Sequence, residues 1–209
     1  MMDVVVWGFG KLGQLAADAT ERTAGLTLVG IITARPDAVS GQVGPHVDLL
    51  RDLDETRERH PDAFVVHAGH ALDDELIDLL EQCAARGLDV VTSSGFFHPS
   101  TQAPDRAPQL DELARSTGAR VVAAGLHPGF FFDVLPATLI PVAAGWQTVE
   151  VRKPSSAASW PKGTRHMQGI GGEPARLEAE LPYPMESSAR LVVEAVGGVV
   201  GTIDESRTA

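Results

Sequence analysis

The 209-residue sequence predicts an α/β protein built on a doubly wound parallel sheet. Short β-branched and apolar runs alternate with segments of helical periodicity, and a glycine-rich turn separates the first run from the first helix. Because consecutive parallel strands need a crossover connection, this alternation places helices on both faces of the sheet. The second half of the chain loses the pattern, and we expect a short, incomplete α+β domain there.

The predicted strands are almost continuously apolar, as expected of strands covered on both faces. Between them, apolar residues recur every three or four positions, most clearly in residues 72–83, which predicts helices. Residues 36–60 are expected to form a loop with a short polar helix at 55–59. The predicted strands cover residues 3–7, 26–33, 63–68, 89–92 and 120–123, and a further helix is predicted over 109–117.

The remainder of the chain gives weaker signals. A helix is predicted near residues 133–140, a strand-like segment at 147–152, and a last helix around 189–196. We therefore expect a dinucleotide-binding domain at residues 1–141 and a partial substrate or dimerisation domain at 142–209.

The charge balance excludes several classes of partner. Seventeen Lys and Arg face 28 Asp and Glu, and the net charge of −11 disfavours nucleic acids and anionic membranes. No apolar run approaches the roughly 18 residues of a membrane span, so we expect a cytoplasmic protein. The only cysteine, Cys83, lies on an apolar stripe and is expected to be a buried thiol.

The string GFGKLG at residues 8–13 follows the first strand and opens the first helix, which is the context of a dinucleotide-binding turn. Gly8 permits the tight turn, Gly10 leaves room for a pyrophosphate, and Gly13 lets the helix approach the strand. The alternative is a tight βα turn without a ligand. The residues expected to hold the pyrophosphate are Gly8, Phe9, Gly10, Lys11, Leu12 and Gly13.

The second strand ends at Thr33, Ala34 and Arg35, where an NAD site would place an Asp or Glu for the ribose hydroxyls. Because a guanidinium pairs with phosphate, Arg35 favours a cofactor that carries a 2′-phosphate. We therefore expect NADP, with NAD as the second possibility. The alternative for Arg35 is a solvated loop residue.

Ligands of open parallel sheets bind beyond the carboxyl ends of the strands. After the third predicted strand, Ala68, Gly69 and His70 are expected at the nicotinamide ribose. Ser94, after the fourth strand, and His127, after the fifth, are expected at the substrate, with His127 as a candidate for proton transfer. His67 is interpreted as a hydrogen-bonded core histidine. The histidines lack the spacing of a metal site, and Ser94 lacks the glycines of a nucleophile elbow.

Three segments carry a family resemblance: GFGKLG, then TSSGFFHP at residues 92–99, then AAGLHPGFFFDVLP at residues 123–136. Over residues 3–141, and more weakly over 187–204, the chain resembles the dihydrodipicolinate-reductase-like group that includes 2,4-diaminopentanoate dehydrogenase and NAD(P)-dependent amine dehydrogenases. The resemblance implies a Rossmann domain, a mixed sheet that covers the substrate, and hydride transfer between nicotinamide and an amine or imine carbon. Because the second domain is short for this group, its apolar faces would need a partner chain, and we expect a homo-oligomer.

One departure concerns the substrate. Amine-oxidising members resemble T-x-x-E-x-x-x-P after the fourth strand, whereas residues 92–99 contain no acid. This difference favours a neutral or different substrate, or no amine chemistry. The sequence thus predicts an oxidoreductase acting on an imine, amine or carbonyl carbon of a small molecule. The alternative is a dinucleotide-binding sensor or partner module without catalysis.

Overall fold

The computed structural model describes most of the chain and divides it into two compact units, Met1–Gly129 and Phe130–Ala209. The division lies before residues 130–141, so these residues group with the second unit, and the expected domain boundary at 141 stays a prediction. The described residues are 1–69, 72–126, 128–152, 154, 156–160, 162, 165, 170–172 and 185–204.

The first unit contains a six-stranded parallel sheet with the order β3-β2-β1-β4-β5-β6. The order turns back between β1 and β4, which makes this pair the switch point of the sheet. The predicted α/β, doubly wound class is confirmed. The strands are β1 (Met2–Trp7), β2 (Leu26–Ile32), β3 (Asp48–Leu50), β4 (Phe64–His67), β5 (Val90–Thr92) and β6 (Val121–Ala123).

Six helices connect or follow these strands. Asp52 and Asp73 cap the starts of the third and fourth helices, and Gly118, at φ 77°, ends the sixth. None of the described helices is long and apolar enough to cross a lipid bilayer. The helices are α1 (Lys11–Arg22), α2 (Pro36–Val39), α3 (Leu53–Arg59), α4 (Asp74–Ala85), α5 (Pro99–Gln102) and α6 (Ala107–Thr117).

Strand β3 corrects the expectation of five strands, because it lies inside residues 36–60, which the sequence predicts as a loop. It contains only three residues, too few to show an alternation of apolar and polar positions in the sequence. In the sheet it pairs with β2. Leu50 of β3 covers Gly30 of β2, where an added Cβ would lie 2.7 Å from Leu50 Cδ1. The glycine in the second strand therefore makes room for the edge strand.

The core lies on both faces of the sheet, as strand β1 illustrates. Val5 belongs to one apolar cluster, while Val4 and Val6 belong to the other, and all three are fully buried. Cys83 is buried in the first cluster, and burial raises the pKa of its thiol to about 12. The expectation of a buried core thiol is confirmed.

The second unit begins with a π-helix, Phe130–Val134, that continues into α7 (Leu135–Leu139) and a 3-10 turn, Ile140–Val142. The last helix, α8 (Met185–Ala195), packs against the π-helix and α7. The strand-like prediction for 147–152 is wrong, because these residues form no strand and are all exposed. Apolar alternation alone is insufficient where no neighbouring strand receives the backbone hydrogen bonds.

Candidate functional site

The carboxyl ends of β1, β4 and β5 lie side by side in the sheet. Trp7 is in register with His67, and His67 is in register with Thr92. The loops that leave these three positions therefore begin at one edge, beside the switch point, where open α/β sheets bind ligands.

The backbone of the glycine turn lies close to helix α1, as the motif at residues 8–13 predicts. Gly8 has φ 87°, a conformation that favours glycine, and its N–H donates to the Ile32 carbonyl at 2.9 Å. A Cβ on Gly13 would lie 1.9 Å from the Gly8 carbonyl oxygen, so helix α1 touches the turn backbone. A Cβ on Gly10 would meet no atom within 4 Å, which leaves open space above the start of the helix.

Helix α1 starts without the side-chain cap found on α3 and α4. Its N-cap residue is Gly10, no side chain accepts a hydrogen bond there, and the first turn contains no acid. Asp52 accepts from the Glu55 N–H at 2.9 Å, and Asp73 accepts from the Leu76 N–H at 3.0 Å. The N–H groups and the positive dipole end of α1 thus remain available to an anion.

Two cations of the first unit have no ion-pair or hydrogen-bond partner among the described residues. They are Lys11 and Arg35, and both side chains belong to exposed residues next to the glycine turn or the end of β2. The other eight Lys and Arg residues of residues 1–129 bond to an acid or a carbonyl: Arg22, Arg51, Arg57, Arg59, Arg86, Arg106, Arg115 and Arg120. In a chain of net charge −11, these two unpaired cations mark one edge of the sheet.

The backbone of Arg35 is positioned by hydrogen bonds in the turn after β2. The Thr33 N–H donates to the Leu50 carbonyl at 3.0 Å, and the Thr33 hydroxyl accepts from the Arg35 N–H at 3.1 Å. Arg35 is the N-cap residue of α2, and its guanidinium is exposed. The backbone position of this side chain is therefore defined at the carboxyl end of β2, the strand next to β1.

On the other side of β1, the end of β4 is hydrogen-bonded to the end of β5. His67 Nδ1 lies 3.0 Å from Thr92 Oγ1, and the Ser94 N–H donates to that same oxygen at 3.1 Å. Burial lowers the pKa of the His67 imidazole, and the negative charge of Asp73 opposes that shift. Burial therefore favours the neutral form of the imidazole.

Ala68 and Gly69, two of the three loop residues that the sequence predicts at the nicotinamide ribose, lie at this edge. Ser93 donates from its N–H to the His67 carbonyl at 3.0 Å and from its hydroxyl to the Gly69 carbonyl at 2.9 Å. Ala68 and Gly69 are half-buried. These hydrogen bonds fix the loop after β4 to the loop after β5.

The remaining predicted site residues differ in their surroundings. Ser94 is 1% exposed, and its hydroxyl has no hydrogen-bond partner in the described part of the chain. Phe9 is half-buried and packs on an apolar cluster, so only its backbone is available to a phosphate. Leu12 is half-buried on α1. His70 and His127 lie outside the described residues, and their roles stay predictions.

Metal binding has no support from the described residues, which contain no group of three or more His, Cys, Asp or Glu placed to hold an ion. His67, which the sequence interpretation treats as a hydrogen-bonded core histidine, is hydrogen-bonded to Thr92 but only half-buried. The structure ends β4 at His67 and so places this residue at the ligand-binding edge of the sheet.

The chain is similar to two curated dehydrogenases. It is 23% identical over 178 residues to 2,4-diaminopentanoate dehydrogenase of Acetoanaerobium sticklandii, covering 80% of this chain and 50% of that protein. It is 26% identical to amine dehydrogenase of Streptomyces virginiae in an alignment 227 positions long, covering 99% of this chain and 62% of that protein. The chain thus spans about half to three-fifths of the length of these relatives. No family model matches the sequence.

Solved structures with the same fold include two dehydrogenases. Amine dehydrogenase from Mycobacterium smegmatis aligns with a TM-score of 0.67 at 21% identity, over 93% of this chain and 60% of that chain. A mutant meso-DAPDH from Clostridium tetani aligns with a TM-score of 0.50 at 17% identity, over 68% of this chain and 40% of that chain. The resemblance inferred from the sequence motifs is confirmed: the chain is a relative of 2,4-diaminopentanoate dehydrogenase and amine dehydrogenase with a Rossmann-type α/β fold.

Proposed function

We propose that the chain is an NADP-dependent oxidoreductase that transfers a hydride between nicotinamide and an imine, amine or carbonyl carbon of a small molecule. The observation that carries this proposal is the combination of an uncapped start of α1 with two unpaired cations, Lys11 and Arg35. Every other Lys or Arg of the first unit bonds to an acid or to a backbone carbonyl of the protein itself. A dinucleotide phosphate is the anion whose charges match this arrangement.

The diphosphate would bind at the start of α1. The helix presents free N–H groups and a positive dipole end, and the open space at Gly10 lets phosphate oxygens approach the backbone. Gly8 and Gly13 keep the turn backbone against the helix, and Lys11 adds a positive charge. The nicotinamide ribose would lie at Ala68, Gly69 and His70.

The preference for NADP depends on the end of β2. Residues 33–35 contain no carboxylate to accept hydrogen bonds from the ribose hydroxyls, and the unpaired Arg35 guanidinium suits a 2′-phosphate. NAD would still find the diphosphate site, with weaker affinity because Arg35 then remains unpaired.

When bound, a reduced nicotinamide supplies a hydride to the carbon of a C=N or C=O bond. The chain itself orients the reactants, and Ser94 and His127 are the side chains proposed at the substrate. With no acid in residues 92–99, a substrate that is neutral at this position is favoured over an ammonium ion. The similarity to named dehydrogenases favours catalysis over a non-catalytic binding module. The expected self-association stays a prediction.

Isothermal calorimetry with NADPH and NADH tests the cofactor assignment. Loss of a hydrogen-bonded pair between charged groups costs about 1.5 to 3 kcal/mol, so Arg35→Ala should weaken NADPH binding about 10- to 100-fold and leave NADH binding unchanged. Arg22→Ala is the matched control, because Arg22 is also exposed but pairs with Asp18.

Two results would contradict the proposal at different levels. An unchanged preference for NADPH in Arg35→Ala removes the role of Arg35, whereas absence of binding by either cofactor at millimolar concentration removes the dinucleotide site itself. Catalysis is then tested by following NADPH oxidation at 340 nm with imines and ketones.

A further inference from the structure

His67 occupies a defined position at the switch point. It is the last residue of β4, in register with Trp7 of β1 on one side and with Thr92 of β5 on the other. Its half-buried ring lies against the next loop: a Cβ on Gly69 would be 2.4 Å from His67 Cε1 and 2.8 Å from Nε2. The glycine at position 69 therefore leaves the space that the imidazole fills.

The hydrogen bonds of Thr92 determine which nitrogen of His67 carries the proton. Thr92 is fully buried, and its hydroxyl oxygen already accepts the Ser94 N–H. If His67 Nδ1 also donated to this oxygen, the hydroxyl proton of Thr92 would have no acceptor among the described residues. When the hydroxyl instead donates to Nδ1, all groups are satisfied. The neutral ring then carries its proton on Nε2.

The Nε2–H group has no hydrogen-bond partner within the described part of the chain. It is a donor of fixed orientation on a half-buried ring at the ligand-binding edge. A pre-oriented donor loses little entropy when an acceptor binds. Asp73, the acid whose charge reaches His67, is bonded to the Leu76 N–H at the start of α4.

We propose that His67 Nε2–H donates a hydrogen bond to the nicotinamide half of the bound dinucleotide and positions it, so that His67 is a positioning residue of the site. This inference rests on the proposed function. The sheet order supports the assignment: with the diphosphate after β1 and the 2′-phosphate at Arg35 after β2, the other half of the cofactor extends over β4. That half carries ribose hydroxyls and a carboxamide oxygen, which accept hydrogen bonds.

Two probes separate the halves of the cofactor. NADPH contains both halves, whereas 2′,5′-ADP contains only the adenosine half, and calorimetry measures each dissociation constant. His67→Phe keeps an aromatic ring but removes the donor, and it should weaken NADPH binding about 3- to 10-fold without affecting 2′,5′-ADP. His67→Gln, which restores an N–H at similar reach, should recover most of the loss. Arg35→Ala should weaken both probes.

A second pair of variants, at Thr92, tests the hydrogen bond between Thr92 and His67 Nδ1. Thr92→Val removes the hydroxyl that holds Nδ1 and should weaken NADPH but not 2′,5′-ADP, whereas Thr92→Ser should retain wild-type affinity. Nitrogen-15 NMR of the wild-type imidazole should show the Nε2–H tautomer, and its Nε2 resonance should shift with NADPH and not with 2′,5′-ADP. This spectrum needs no variant and therefore remains decisive even if a substitution prevents folding.

The negative outcomes are distinct. A wild-type chain that binds neither probe overturns the proposed function and this inference with it. A wild-type chain that binds both probes, together with His67→Phe that weakens both equally or neither, overturns only the role of His67. An Nδ1–H tautomer in the spectrum, or an effect of His67→Phe on substrate KM with unchanged NADPH affinity, also overturns it.

Discussion

Helices α1 and α4 both contain 12 residues and both follow a strand of the switch-point pair, yet their starts are built in opposite ways. Helix α4 has Asp73 as its cap and Asp74 and Glu75 in its first turn, so the protein itself satisfies the N–H groups and the dipole. Helix α1 begins at Gly10 and has no acid in its first turn. Of these two helix starts, that of α1 leaves its N–H groups and its positive dipole end without a side-chain partner.

The open start of α1 costs little stability. Replacing a capping Asp by Gly costs only a few tenths of a kcal/mol, much less than replacing it by Ala. The backbone of Gly10, with φ −73° and ψ −171°, is extended and accessible to any residue. Glycine at this position is therefore not required by the backbone conformation. Its lack of a side chain leaves open space in front of the helix.

Gly10→Asp would convert the start of α1 into one like that of α4 and is expected to have the largest effect. The added Cβ meets no atom within 4 Å and the carboxylate can cap the helix, so the free energy of unfolding should remain within about 0.5 kcal/mol of wild type. NADPH affinity should fall about 100-fold or more, because the carboxylate repels the diphosphate and occupies its donors. Urea unfolding and calorimetry measure the two quantities. Unimpaired NADPH binding would show that α1 holds no anion.

Gly13→Ala tests the contact between helix and turn. The added Cβ would lie 1.9 Å from the Gly8 carbonyl oxygen, which is backbone and cannot move without displacing the turn. We expect a loss of about 1 to 3 kcal/mol in the free energy of unfolding, despite the better helix propensity of alanine. Gly10→Ala is the matched control, since its Cβ has open space. Equal stability of the two variants in urea would refute the close approach.

Asp73→Ala should have the smallest effect of the three and sharpens the contrast from the α4 side. Loss of the hydrogen bond to the Leu76 N–H should lower the free energy of unfolding by about 1 kcal/mol. Asp73→Asn, which keeps a capping oxygen, should stay close to wild type. Thermal or urea unfolding distinguishes the two. If both substitutions cost the same, the charge and not the cap stabilises α4.

The first unit was predictable because its signals are local. Apolar strands and amphipathic helices bury their side chains against neighbours in the next βα unit, and all five predicted strands are found. The described part of the second unit lacks such closure: Val142, Trp146 and Val149 are among its exposed apolar side chains. Residues 147–152 show why strand-like alternation without a pairing strand misleads.

Some features of the candidate site could likewise be predicted from the sequence, and others could not. The glycine turn and Arg35 are visible in the sequence because motif spacing and strand order locate them. The unpaired state of Lys11 and Arg35 is visible only once the partners of the other eight cations are known. The tautomer of His67 likewise depends on Thr92, which lies 25 positions away in the chain.

The α/β class, the glycine turn and the family resemblance could be predicted from the order of the amino acids alone, because each depends on neighbouring residues and on the backbone freedom of glycine. The edge strand β3, the absence of a side-chain cap at α1 in contrast to α4, and the hydrogen bond between His67 and Thr92 became visible only in the folded structure. Hydrogen bonds and ion pairs between distant residues use up donors and charges, and what remains unused can be counted only after the chain has folded.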